Sequence, residues 1–140
     1  MKDLFNNIHP LLALAAVVVT DNTAQVCAVI DRRGYESLTY VIATGTLADA
    51  DATFAVLLEE SDASNMAGAT PVDDADLLGT EALAGFTFSD DGETRKLGYI
   101  GNKRYTRLTI PPSGNAGNAP LSVVALLGHP AIVPTANPPV

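Results

Sequence analysis

Tryptophan is absent from these 140 residues, and only four Tyr and four Phe supply aromatic surface. A sugar-binding β-module usually exposes aromatic platforms for stacking, so that class finds little support here. Cysteine occurs once, which excludes an internal disulfide. Cys27 lies among Val26, Ala28 and Ile30 and reads as a buried apolar thiol, with no neighbouring base to activate it. Charge is also scarce: 17% of residues are charged, against about 25% in a typical soluble domain. A surface poor in charge often has part of its area covered by partners. No apolar run reaches the roughly 20 residues that a bilayer span requires. The nearest approach, Leu11 to Val19, is badly flanked for a signal peptide, because Lys2 is offset by Asp3 and no small-x-small cleavage site follows. Its β-branched end, Val17-Val18-Val19-Thr20, favours a buried strand.

Recognisable chemistry is missing as well. Neither Gly-x-Ser-x-Gly nor Ser-x-x-Lys occurs, and no phosphate-cradling Gly motif is present. Glu59 and Glu60 are adjacent, so on a strand they point to opposite faces and share no substrate. His9 and His129 each precede a proline and have no third ligand at metal-binding spacing. Asp49-Ala50-Asp51 lacks the Gly and the terminal Glu of a calcium loop, and Asp73 to Asp76 reads as solvated loop. These absences predict a non-enzyme with no cofactor, no metal and no small-molecule substrate.

The formal net charge is −8, which opposes nucleic-acid binding through the overall field. All sixteen acids lie between Asp3 and Glu93, while Arg95, Lys96, Lys103, Arg104 and Arg107 follow with no acid after them. Tyr99 and Tyr105 interleave with these bases, as in single-strand binders, but the total charge argues against that role. Two readings stay open. Neighbouring strands pair these charges within one chain, or a bipolar surface docks electrostatically on copies of the same chain or on a larger shell.

Along the chain, residues 1–10 look like an arm with apolar anchors at Leu4, Phe5 and Ile8. Strands are expected over 11–20, 24–30, 37–44, 52–60, 85–89, 94–100, 105–110 and 121–127. The clearest show period-two alternation: Leu38, Tyr40 and Ile42 share one face, and so do Phe54, Val56 and Leu58. Residues 61–82 read as a long irregular loop with room for a short edge strand or a helical turn. Asp90-Asp91-Gly92 predicts a hairpin between the strands on either side, and Gly101-Asn102 predicts another, making 95–107 a cationic hairpin. Pro111-Pro112 ends its strand. After Gly128, Pro130, Pro134, Pro138 and Pro139 favour an extended tail, 129–140, with Ile132 and Val133 as anchors. About eight strands and no amphipathic helix predict an antiparallel β-sandwich, jelly roll or barrel over 11–128, with an arm at each end. The arms are expected to leave the β body and lie on a partner.

Four segments carry a resemblance: TDNTAQV (20–26), YVIATGTLADADATFAVLLEE (40–60), DLLGTEA (76–82) and DDGETRKLGYIGNKRYTRLTI (90–110). They resemble small phage and prophage proteins that accompany capsid genes, in particular the capsid-decoration (cement) proteins of short-tailed Bordetella phages. The likeness covers nearly the whole chain and is one of overall pattern. It implies a jelly-roll-like sandwich, made in the host bacterial cytoplasm, that dimerises on the outside of an icosahedral head. There it would bridge neighbouring major capsid subunits and hold the shell against internal DNA pressure. No nucleic acid and no membrane enter as partners. The five late bases are the expected capsid contacts on the residues' own evidence. A tail or head–tail joining subunit, or a sugar-binding module, is the alternative.

Overall fold

A computed structural model describes residues 2–139, so the outermost residue of each expected arm, Met1 and Val140, lies outside the described residues. Six strands are long: β1 (Ile8–Val19), β4 (Tyr35–Thr44), β6 (Leu57–Ser61), β10 (Thr94–Tyr99), β11 (Tyr105–Ile110) and β13 (Ala119–Pro130). The others have two residues each. They are β2 (Gln25–Val26), β3 (Ile30–Asp31), β5 (Thr53–Phe54), β7 (Thr70–Pro71), β8 (Leu77–Leu78), β9 (Phe86–Thr87) and β12 (Pro112–Ser113). The one α-helix described, α1 (Glu81–Ala84), is a single turn capped by Thr80, whose side chain accepts a hydrogen bond from the Leu83 N–H.

A five-stranded sheet runs β1-β13-β4-β10-β8, and a second runs β2-β11-β6-β7. All the pairings are antiparallel. Both β2 and β3 pair with β11, so together they form one interrupted strand. With it, the six long strands and β7 make eight in chain order. The first sheet then reads first, eighth, third, sixth, and the second reads second, seventh, fourth, fifth. That is the strand order of a jelly-roll sandwich, as expected. A small third sheet, β12-β5-β9, is braced by Phe54 stacked on Phe86 at 4.9 Å.

Alternation decides which side chains meet between the sheets. Leu38, Tyr40, Ile42, Leu97, Val123, Ala125 and Leu127 turn inward from one sheet, and Leu58, Leu108 and Ile110 from the other; all are buried. Each such side chain contributes roughly 1.5–3 kcal/mol by leaving water. A polar bond crosses the core: Tyr40 Oη meets Thr106 Oγ1 at 2.7 Å, and both residues are buried. Desolvation pushes the Tyr40 phenol up and the Cys27 thiol up to about 12, so both stay protonated.

Both expected hairpins are corrected. Strand β9 pairs with β5, not with β10. Asp90 instead accepts from the Thr87 N–H at 2.8 Å, Asp91 accepts from the Leu47 N–H at 2.7 Å, and the Thr44 hydroxyl at the far end of β4 donates to the Asp90 carbonyl at 2.7 Å. Strands β10 and β11 lie in different sheets, so 95–107 is a crossing between layers. Gly101 makes that crossing: a Cβ there would sit 2.5 Å from the Tyr99 hydroxyl. The expected strand 52–60 is likewise split, β5 and β6 belonging to different sheets.

The ends also differ from the expected arms. β1 takes in Ile8, His9 and Pro10, and β13 runs on through His129 to Pro130. Beyond it the chain turns back on its own beginning. The Thr135 N–H donates to the Asn6 carbonyl at 3.1 Å, and its hydroxyl donates to the Ile8 carbonyl at 2.5 Å. Among the described residues, no helix is long and apolar enough to cross a membrane.

Candidate functional site

The late bases were the first candidates, and the structure satisfies four of the five internally. Arg95 contacts Asp90 at 2.9 Å and Glu93 at 2.7 Å. Lys103 contacts Asp62 at 2.5 Å, and Arg107 contacts Glu59 at 3.3 Å. Arg104 grips Asp31 through two bonds of 2.8 Å each, which hold the Asp31 carboxyl below its ordinary value. Lys96 is exposed on β10 and has no ion pair among the described residues.

Asp31, Arg107 and Glu59 lie on the outer face of the four-stranded sheet, where cross-strand neighbours pair Arg107 with Glu59 and Tyr105 with Asp31. The outer face of the five-stranded sheet is unlike it. One row across that sheet reads Leu12, Val124, Val41, Lys96, and the next reads Pro10, Leu126, Thr39, Gly98, Leu78. Val18 opposite Pro120 extends the surface, and Ser122 beside Ala43 is its mildest polar point. Leu12 is 62% exposed, Val18 52% and Leu78 56%. The five strands hold three charged side chains in all, Glu36, Arg95 and Lys96.

Sequence reasoning missed this face. The run ending in Val17-Val18-Val19 reads as a buried strand, whereas β1 is an edge strand with Leu12, Ala15, Ala16 and Val18 exposed. The signal was nevertheless there. A strand apolar on both parities is one covered on both faces. The chain covers one side of β1 with its core, and the terminal segments meet the start of β1 near Ile8 and Pro10.

That touch involves the expected anchors. Residues Phe5, Ile8, Pro10, Thr135, Ala136 and Pro139 line a cavity of about 120 Å³ where the returning tail meets the start of β1. Leu4, Phe5, Ile132 and Val133 remain more than half exposed, Ile132 most of all at 82%.

The other candidates resolve into structural parts. Asp49 accepts from the Asp51 and Ala116 N–H groups, so its carboxylate ties two loops together. His9 stacks on Tyr35 at 5.4 Å, and His129 Nδ1 bonds Ser37 Oγ at 2.9 Å. Among the described residues, no three His, Cys, Asp or Glu side chains gather as a metal site.

No family model matches the chain, and no curated protein matches it. Solved structures do resemble it. The crystal structure of the PBSX exported protein XepA aligns with a TM-score of 0.55 and 17% identity over 85% of this chain and 36% of that one. The chain therefore spans about a third of XepA, and the likeness speaks for the β-sandwich fold alone. The xylan-binding module CBM15 aligns with a TM-score of 0.44 and 12% identity over 93% of this chain and 95% of that one. A family 22 carbohydrate-binding module of Clostridium thermocellum Xyn10B aligns with a TM-score of 0.41 and 8% identity, over 94% and 92%.

Proposed function

We propose that this chain is a non-catalytic capsid-decoration protein that sits on the outer surface of a tailed-phage head and docks there on the major capsid protein. The observation that carries the reading is the uncovered outer face of the five-stranded sheet. An exposed apolar surface holding little charge is the anatomy of a protein-binding patch. At about 4.8 Å per strand and 3.3 Å per residue, β1, β13 and β4 over nine residues and β10 over six span a footprint of about 500 Å². That is more than half of the roughly 800 Å² per partner of a stable protein interface. The four segments resembling cement proteins point to a capsid as the surface it meets.

Such a role needs no reaction. A protein that binds only the assembled lattice stabilises it by mass action, and many copies add up even where each contact is weak. The dimer that the resemblance implies would bring two such faces to neighbouring capsid subunits. Heads of the short-tailed phage it resembles, stripped of decoration protein, provide the test. Added chain should bind in many regularly spaced copies and raise the temperature at which the heads release DNA. Absence from the heads, or a few copies confined to the tail vertex, would overturn the reading.

A further inference from the structure

We infer that the partner on the outer face of the five-stranded sheet is a different polypeptide rather than a second copy, and that it sets a carboxylate against Lys96. The inference rests on the docking role proposed above and identifies the chemistry of the surface that is met.

Charge complementarity carries it. Three charged residues lie in the five strands, and two are accounted for. Arg95 is held by Asp90 and Glu93, and Glu36 stands near the start of β4, away from the apolar rows. Lys96 alone closes a row, beside Val41, Val124 and Leu12. A two-fold related copy would present these rows to themselves. The rows contain no acid, so Lys96 would meet apolar side chains or a second Lys96. Each copy also carries a net charge of −8, which opposes their approach. A different protein can offer an apolar patch bordered by an Asp or Glu, which leaves neither the lysine nor the acid unpaired. Any dimer of this chain then uses another surface.

Stripped heads and sedimentation of the free chain test this together. Wild type, Lys96→Met, Lys96→Glu and Leu12→Asp are compared, with Val18→Asp repeating the apolar test at the other end of β1. At low salt, Lys96→Glu should bind about tenfold more weakly than wild type, with Lys96→Met between them, and the differences should fade at high salt. Leu12→Asp and Val18→Asp should fail at every salt concentration. Equal binding by all three Lys96 forms, with the Asp variants failing, overturns the carboxylate and leaves the docking role standing. Dissociation of a wild-type dimer by Leu12→Asp assigns the face to a second copy and overturns the inference. If wild type does not bind heads at all, the docking role fails and this inference fails with it.

Discussion

On the outer face of the four-stranded sheet, Arg107 meets Glu59 at 3.3 Å and Arg104 grips Asp31. On the outer face of the five-stranded sheet, Leu12, Val124 and Val41 stand in a row with no acid among them. The two faces belong to one sandwich and share one core. The first pairs Arg104 and Arg107 with acids on neighbouring strands, whereas the second leaves Leu12, Val18 and Leu78 more than half exposed. The chain's low charge is therefore unevenly spread, and the scarcity is concentrated where a partner would lie.

The largest effect should come from between the faces. Leu108 is fully buried, and Leu108→Ala should cost about 2–5 kcal/mol in chemical unfolding. A smaller loss would mean that the two sheets do not share a tight core. Next comes the apolar face itself. Leu12→Asp combined with Val18→Asp should cut head binding at least tenfold while moving the unfolding midpoint little, since both side chains are more than half exposed. A large loss of stability would recast this face as part of the fold. On the opposite face, Arg107→Met strands Glu59 without its partner and should cost about 1 kcal/mol of stability, with head binding unchanged. Weakened binding there would erase the distinction between the faces.

The smallest effect is on acid stability. Hydrogen bonds from Arg104 hold the Asp31 carboxyl below its ordinary value of 3.8, so the folded state binds the proton more weakly than the unfolded chain does. The stabilisation is complete above that ordinary value and is lost as pH falls through the lower folded one. Asp90 behaves likewise, held down by the Thr87 N–H and then by Arg95. Thermal midpoints should fall below about pH 4, and Asp31→Asn should lower the neutral-pH midpoint slightly while flattening that acid slope. An unchanged slope would show that the Asp31–Arg104 pair contributes nothing.

Alternation made most strands legible, because a period of two is a local property of the chain. Leu38, Tyr40, Ile42, Phe54, Val56 and Leu58 are all buried as that period demands. Pairing was less legible. Asp90-Asp91-Gly92 has the composition of a hairpin turn, yet the Asp90 and Asp91 side chains bind Thr87 and Leu47 and send the chain elsewhere. Arg95 meets Asp90 and Glu93 just before it, but Lys103, Arg104 and Arg107 read as a free cationic surface because their acids, Asp62, Asp31 and Glu59, lie far back in sequence and meet them only across the fold. The apolar face was written openly in β1 and β13, whose residues are uncharged on both parities. Its exposure was hidden, because only the layering of the two sheets shows which parity of β1, β13 and β4 faces the core.

Hydrogen–deuterium exchange with and without stripped heads tests the central claim most directly. Binding should slow exchange in β1, β13 and β4, the strands bearing Leu12, Val124 and Val41, and leave β6 and β11 unchanged. Slowed exchange confined to β6 and β11, or none in either sheet, would contradict it.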